Sequence, residues 1–155
     1  MTSFALSIDS LQVGQLPNTN IRITDSYITK EDIEFGKPVL REVLNGVVVV
    51  KNWAAGTAAD LAKTFAGISH YSQTSANKFY DNTTGNVISK GTLGNFLRFG
   101  DHWVTASVVA TMGDACYIDV TNGKFTNIAT NNLKIGRFYT TTTAVDQAAI
   151  IYLTF

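Results

Sequence analysis

Two Asn-Gly pairs, each between runs of β-branched and aromatic residues, constrain the fold of this chain more than any other feature. Both central residues of a type I′ turn need a positive φ, which Asn tolerates and Gly adopts freely. The first pair, Asn45-Gly46, lies within residues 39–51, and the second, Asn122-Gly123, lies within residues 115–128. The sequence therefore predicts two β-hairpins that turn at these pairs.

Further short runs rich in β-branched or aromatic residues lie between turn residues. They comprise residues 12–13, 21–23, 86–89, 95–99, 102–109, 135–141 and 148–155. Short strands at this spacing predict an all-β fold, an antiparallel β-sandwich or a barrel-like domain of jelly-roll or tulip type. Residues 47–50 and 150–153 are apolar at consecutive positions, which predicts strands in the middle of a sheet or beneath a partner.

One segment favours a short helix, at residues 57–63, where Thr57 can cap the first turn and Asp60 lies three residues further on. Residues 1–25 have weak periodicity, and we expect an N-terminal arm or the first strands there. A single β domain over residues 26–155 would follow, because 155 residues of which 45% are hydrophobic can build one sizeable core.

Charge and hydropathy exclude several classes of partner. Twelve Lys and Arg residues balance twelve Asp and Glu residues without a basic run, so we expect no nucleic acid partner. We also expect no membrane partner and no export, since neither a long apolar run nor a signal-peptide pattern occurs. The charged fraction is only 15%, against roughly a quarter in ordinary domains. Such a surface suits contact with proteins, although exposed strands rich in Thr and Asn would have the same composition.

The residues that could carry chemistry do not form a recognised site. His70 and His102 lack the spacing of a metal site, and Asp101 could orient His102 only if the chain bends at Gly100. The sequence has no nucleophile elbow and no phosphate-binding loop. We therefore expect no enzyme and no cofactor.

Two other groups of residues have a structural interpretation. The acidic residues of the segment at 31–34 lack the ordered ligands of a calcium loop, so we expect a solvated loop and no metal. Cys116 has no possible disulfide partner in the chain and lies in an apolar run, which predicts a small buried side chain.

The aromatic residues leave two interpretations open. Trp53 and Trp103 border apolar strands, which favours a place in the core or in a protein interface. Together with the six tyrosines they could instead stack on sugars or bases, but their spacing does not indicate that they converge. Our candidate interface residues are Phe4, Leu6, Ile8, Leu11 and Trp53.

Six landmarks, read in order, resemble a known family. They are Phe35-Gly36-Lys37-Pro38-Val39, Thr64-Phe65-Ala66-Gly67-Ile68-Ser69, Gly100-Asp101-His102-Trp103-Val104, Gly113-Asp114-Ala115-Cys116-Tyr117, Asn122-Gly123-Lys124-Phe125-Thr126 and Ile135-Gly136-Arg137-Phe138. Over residues 35–155 their order is similar to that of the structural cement, or capsid decoration, proteins of tailed bacteriophages. The residues expected to maintain the fold are Phe35, Gly36, Pro38, Phe65, Gly67, Trp103, Gly113, Asn122, Gly123 and Gly136.

The resemblance implies a structural protein on the outer surface of the virion capsid, assembled in the host cytoplasm. Such a protein would bridge major capsid protein subunits, stabilise the mature lattice and associate with itself as a dimer or trimer. The family has no catalytic residues to carry over. Residues 57–63 depart from it, because they look longer and more helical than a loop between strands. The alternative function is a carbohydrate- or receptor-binding β module of the virion, in which Trp53, Trp103 and nearby tyrosines would gather on one concave surface.

Overall fold

The structure, a computed structural model, describes residues 21–70 and 87–155. Within these residues the chain forms eleven strands and one helix. In order they are β1 Ile23–Thr29, β2 Ile33–Glu34, β3 Pro38–Leu44, β4 Val47–Asn52, α1 Ala58–Thr64, β5 Phe65–His70, β6 Val87–Ile88, β7 Leu93–Ala106, β8 Ala115–Ile118, β9 Phe125–Thr126, β10 Leu133–Phe138 and β11 Gln147–Thr154. The predicted all-β class is confirmed. The strand predicted at residues 12–13 and most of the predicted arm lie outside the described residues.

Strand β7 is 14 residues long and belongs to two closed sets of strands. Its first half pairs with β1 and with β5, and the pairs β1–β4, β4–β3 and β3–β5 complete the first ring. Its second half pairs with β11 and, at Ala106, with β9, and the pairs through β10 and β8 complete the second ring. The predicted barrel-like architecture thus takes the form of two rings that share one strand. Most pairs are antiparallel, whereas β1–β4 and β7–β9 are parallel.

The buried hydrophobic residues form two cores, of which the second also includes Leu40, Phe65 and Ile68 from strands of the first ring. The first core consists of Ile33, Val39, Val50, Ala66, Ile88 and Phe96. The second is larger and includes Val104, Ile118, Ile135, Phe138, Ile151 and Leu153. Cys116 is buried in the second core, as predicted, and burial raises the pKa of its thiol.

The sequence predicts separate strands at residues 95–99 and 102–109, but the structure joins them into the single strand β7. Gly100 does not turn the chain. It has a φ of +117° inside the strand, and a Cβ atom there would lie 2.9 Å from the side chain of Arg22 and 3.0 Å from the carbonyl oxygen of Ile21. The glycine is therefore explained by the close approach of the segment before β1.

The two predicted hairpins both form, with different turns. Asn45 and Gly46 have φ of +50° and +80°, as a type I′ turn requires. In the second hairpin Ile118 pairs with Phe125, so the connection is six residues long. The two-residue turn predicted at Asn122-Gly123 is wrong, because the carboxylate of Asp119 accepts a hydrogen bond from the N–H of Thr121 at 2.8 Å and opens a wider loop.

The predicted helix is confirmed as α1. The hydroxyl of its N-cap residue Thr57 accepts a hydrogen bond from the N–H of Asp60 at 3.2 Å. Leu61 is buried in the second core and holds this short helix against the sheet. The departure from the family pattern at residues 57–63 is thus a real structural element.

Close approach of two strands explains a second glycine. Gly67 in β5 has a φ of +128°, and a Cβ atom there would overlap the backbone carbonyl of Leu97 in β7. Since β5 and β7 are both in the first ring, a side chain at this position would force the ring open. Gly136 in β10 is similar, because its Cβ atom would overlap the carbonyl of Tyr152 in β11.

We predict that Gly67→Ala lowers the free energy of unfolding by more than about 3 kcal/mol, because backbone strain and a backbone clash add together. Gly46→Ala is the matched control, since Gly46 also has a positive φ but a Cβ atom there would meet open space. Its cost should be about 1 kcal/mol. Urea unfolding of the wild type, Gly67→Ala and Gly46→Ala measures both losses in the free energy of unfolding. Equal losses in the two variants would contradict the close approach of β5 and β7.

Candidate functional site

The outer side of strands β7, β11 and β10 forms a partly exposed aromatic surface, on which Trp103 and Arg137 are exposed and the other large side chains are half-buried. Directly opposed residues of an antiparallel pair point to the same side of the sheet. The pairing places Tyr152 between Asp101 and Arg137, and Ile150 beside Trp103. We call this surface the aromatic face and define it by Phe99, Trp103, Arg137, Tyr139, Ile150 and Tyr152.

The rings of the aromatic face contact one another. The Tyr152 ring centroid lies 5.6 Å from that of Phe99 and 5.9 Å from that of Tyr139. The guanidinium of Arg137 lies 5.6 Å from the Tyr152 ring and 5.7 Å from the Tyr139 ring. Trp103 is 61% exposed. Trp, Tyr and Arg dominate the binding energy of protein interfaces, so the face has the composition of a contact surface.

A second exposed surface surrounds the end of the first hairpin. Val43 and Val48 oppose each other on one side of the hairpin, and Leu44 and Val47 oppose each other on the other side. All four are exposed, with Val43 at 68%, so both sides of the hairpin end are apolar. The exposed Ile28 and Leu93 pair with each other at the base of this hairpin. We call this surface the apolar tip and define it by Ile28, Val43, Leu44, Val47, Val48 and Leu93.

The apolar tip contains only half of the apolar run at residues 47–50, which the sequence predicts to lie in the middle of a sheet or beneath a partner. Val49 and Val50 are buried, whereas Val47 and Val48 are exposed. Among the described residues, no side chain covers this pair. The two exposed valines therefore favour the second of the two interpretations, contact with a partner.

The aromatic face and the apolar tip lie on different parts of the sheet. Strand β7 contributes Leu93 to the tip and Phe99 and Trp103 to the face. A strand rises about 3.3 Å per residue, so Leu93 and Trp103 are roughly 30 Å apart along β7. One continuous strand thus connects two separate candidate contact surfaces.

Both tryptophans line one cleft of about 840 Å³. The other residues around it are Asp32, Glu34, Phe35, Gly36, Lys37, Pro38, Asn52, Val104, Thr105, Ser107, Asn122, Gly123, Lys124, Phe125, Asp146 and Ala148. The sequence spacing of Trp53 and Trp103 gives no indication that they converge. The structure nevertheless brings both to one cleft, so the expectation of separate positions is wrong. They converge because Trp53, after β4, packs against the second hairpin loop at Val120 and Gly123, while the end of β7 pairs through Ala106 with Phe125 after the same loop.

Trp53 is anchored in the wall of the cleft. Its indole N–H donates to the carbonyl of Val120 at 3.3 Å, and its ring lies edge-on to Phe65 with centroids 6.5 Å apart. A Cβ atom at Gly123 would lie 2.7–2.9 Å from atoms of Trp53, so only glycine fits against the indole. Trp53 is half-buried and is available to a partner only from inside the cleft.

The other predicted residues are distributed as follows. Phe35, Gly36, Pro38, Trp103, Asn122 and Gly123 line the cleft, so six of the ten fold-maintaining candidates meet there. Phe65 is buried, and Gly113 has a φ of +97° in the turn before β8. Phe4, Leu6, Ile8 and Leu11 lie outside the described residues.

Sequence reasoning missed the tyrosines and Arg137 of the aromatic face. Their signal is present in the alternation of large residues along β7 and β11, where positions 99 and 103 and positions 150 and 152 point outward. Alternation identifies the outward side of each strand, but the pairing of β11 with both neighbours is needed to bring the rings together.

The two histidines form a pair between β5 and β7. His70 Nδ1 lies 3.1 Å from His102 Nε2, and His102 Nδ1 lies 2.6 Å from the carbonyl oxygen of Trp103. Because that oxygen can only accept, Nδ1 of His102 carries the proton and its neutral Nε2 accepts from His70. Asp101 instead pairs with Arg22 at 2.9 Å. The possible Asp101–His102 dyad does not form.

The acidic segment of residues 31–34 holds neighbouring loops in place. Glu31 accepts a hydrogen bond from the N–H of Asn52 at 2.8 Å, and Asp32 accepts one from the N–H of Lys90 at 2.7 Å. No group of three possible metal ligands occurs within residues 21–70 and 87–155. No helix in these ranges is long and apolar enough to span a membrane.

Comparison with known proteins identifies the family. A family model described as structural cement protein (E217 gp24/Pam3 gp6) matches residues 2–154. The chain belongs to the phage structural cement proteins. Membership confirms the resemblance and makes this cement protein a capsid-associated structural protein. No curated protein matches its sequence.

Two solved structures share the fold of the cement protein. The capsid of Myoviridae phage XM1 contains a chain that is 17% identical, with a TM-score of 0.57, over 90% of this chain and 87% of that one. The head fiber gp8.5 N base of bacteriophage phi29 is 11% identical, with a TM-score of 0.51, over 86% of this chain and 95% of that one. At these identities the similarity concerns the fold.

We predict that the cement protein loses stability as the pH falls below about 7. Desolvation, together with the charge of Arg22, holds the pKa of His70 below its usual 6.5. Desolvation is also the largest cause of the lowered pKa of His102. The unfolded chain therefore binds more protons below pH 6.5, so stability present above this value is lost on acidification.

The measurement is the unfolding temperature between about pH 7.5 and pH 5, where histidine is the side chain that ordinarily titrates. His70→Gln keeps a hydrogen-bonding side chain and removes one titration, so its unfolding temperature should fall less over this range. An equally steep fall in His70→Gln and His102→Gln would show that other groups control the acid response.

Proposed function

We propose that this protein binds the outer surface of the phage head and bridges neighbouring major capsid protein subunits. Membership of the cement family supports attachment to the capsid. The observation that favours bridging is the presence of two separate candidate contact surfaces, the aromatic face on β7, β11 and β10 and the apolar tip around the β3–β4 hairpin. A protein that holds two subunits together needs two such surfaces on one rigid body.

The two surfaces suit different kinds of contact. The aromatic face is broad and presents rings that already contact one another, so little conformational entropy is lost when a partner covers it. The apolar tip is narrow and exposes apolar side chains on both sides, which fits insertion between two walls of a partner. Val43 and Val47, on opposite sides, would then both be buried.

The mechanism follows from binding linkage. A ligand that binds the mature lattice and not its disrupted form stabilises the lattice by about 2.7 kcal/mol per site at a concentration one hundred times its Kd. Many copies on one head make a modest affinity sufficient. The stabilisation opposes rupture of the lattice.

Self-association and the arm complete the proposal. The protein would form a dimer or trimer, because closed symmetry is usual for homo-oligomers. The apolar residues Phe4, Leu6, Ile8 and Leu11 would lie on a capsid subunit or on a sister copy. Assembly would take place in the host cytoplasm.

The primary test is co-sedimentation of the purified protein with expanded, undecorated heads of its phage, followed by a heat challenge. We expect saturable binding that raises the rupture temperature of the heads. Saturable binding without a higher rupture temperature would contradict bridging, and folded protein that fails to bind would contradict attachment.

Variants of the two surfaces separate their contributions. Tyr152→Ala should weaken head binding at least ten-fold, since tyrosine is enriched among the few central interface residues whose truncation costs about 2 kcal/mol or more. The double variant Val43→Thr and Val47→Thr keeps the β-branched shape and should reduce the gain in rupture temperature. Val109→Thr is the matched control, because Val109 is 54% exposed and belongs to neither surface. Wild-type behaviour of both surface variants would exclude these surfaces as contacts.

A further prediction concerns the arm. Deletion of residues 2–11 should weaken head binding, because it removes four apolar side chains from the proposed contact. A triple variant Phe4→Ser, Leu6→Ser and Ile8→Ser should have the same effect, whereas Ser3→Ala with Ser7→Ala should bind normally. Head binding that is unchanged by the deletion would show that the arm makes no contact.

A further inference from the structure

The cleft presents a large aromatic ring that its fold does not require. Trp103 is 61% exposed at the lining, whereas Trp53 is anchored by Val120 and Phe65. Only the backbone carbonyl of Trp103 takes part in the histidine pair, so its indole is not needed there. An exposed ring inside a concave site is a platform for a ligand with an apolar face.

Polar groups of both signs surround this ring. The carboxylates of Asp32, Glu34 and Asp146 line the cleft together with the ammonium groups of Lys37 and Lys124. Three negative and two positive charges nearly balance, so the cleft does not favour a polyanion. Asp146 and Lys124 form no ion pair with any residue that the structure describes. Their groups are free to accept and to donate hydrogen bonds.

The walls of the cleft are preorganised. The side-chain amide of Asn52 donates to the carbonyl of Asp32 at 3.0 Å, and its backbone N–H donates to Glu31 at 2.8 Å. On the other wall, the N–H of Lys124 donates to the side chain of Asn122 at 2.9 Å. Since these groups are already held, a ligand pays little ordering entropy on entry.

The size of the cleft sets the class of ligand. Its volume of about 840 Å³ lies within the range of about 300–1,000 Å³ typical of small-molecule sites. An aromatic platform, nearly balanced charge and several hydrogen-bonding groups fit a ligand that has apolar C–H faces and many hydroxyl groups. A short neutral saccharide combines these properties.

We propose that the cleft binds a short neutral oligosaccharide. Trp103 stacks on a sugar ring, and the carboxylates of Asp146 and Glu34 accept hydrogen bonds from its hydroxyl groups. This site would bind glycans on the free protein, since Trp103 also belongs to the aromatic face and would be covered when that face contacts the capsid. The inference does not rest on the proposed cement function, since it concerns the purified protein alone.

The test is a glycan array of neutral cell-surface and cell-wall oligosaccharides, followed by calorimetric titration of the best-bound compound. We expect saturable binding by the full chain that falls at least ten-fold in Trp103→Ala. Asp146→Asn, which keeps the size of the side chain, should also weaken binding. The matched control Met112→Ala truncates a side chain that is 66% exposed and lies outside the cleft, so it should bind normally.

The two functions are distinguished on the same proteins. Saturating saccharide should weaken co-sedimentation of the wild-type protein with heads, because it covers Trp103 of the aromatic face. The Asp146→Asn variant should co-sediment normally, because Asp146 lies outside the aromatic face and the apolar tip. Absence of binding across the array by protein with a normal unfolding temperature would overturn the proposal. Saccharide binding that persists in both Trp103→Ala and Asp146→Asn would also overturn it, by placing the sugar elsewhere.

Discussion

Hydrogen bonding along both edges of β7 is the constraint on which the rest of the structure depends. Backbone N–H and C=O groups that are removed from water must find partners. Strand β7 meets this requirement with β1 and β5 over its first half, and with β11 and, at its end, β9 over its second half. The change of partners divides the sheet into two rings, and the buried side chains form two cores, the larger of which takes side chains from strands of both rings.

The surfaces follow from this arrangement. Where the second half of β7 pairs with β11, the inner sides of both strands fill a core, so their large outward residues gather as the aromatic face. The first hairpin extends past the point where β1 pairs with β4, and its last apolar residues have no core to enter. The cleft forms where the residues around β2 and those after β4 meet the second hairpin loop and the end of β7, which explains why residues far apart in sequence line it.

The sequence was sufficient to predict the β class, the short helix and the places of the hairpins, because these depend on local preferences. Asn45-Gly46 adopts the turn that its residues favour, whereas Asp119 redirects the second turn through a side-chain hydrogen bond. The cleft could not be predicted, since the convergence of Trp53 and Trp103 depends on the closure of the rings. Gly100 was misread for the same reason, because a close approach and a turn both require glycine.

A protein that bridges subunits must transmit force between its contacts, and the shared strand suits this role. A load between the two surfaces passes from β11 to β7, from β7 to β1 and β5, and from these two strands to the β3–β4 hairpin that carries the apolar tip. The close approach at Gly67 leaves the ladder between β5 and β7 little freedom to slide, and the close approach at Gly136 does the same for the ladder between β10 and β11. The residues of the two surfaces carry no such constraint, so they can change to fit a different lattice while the rings persist. This separation is consistent with a fold that is retained at 11% and 17% identity.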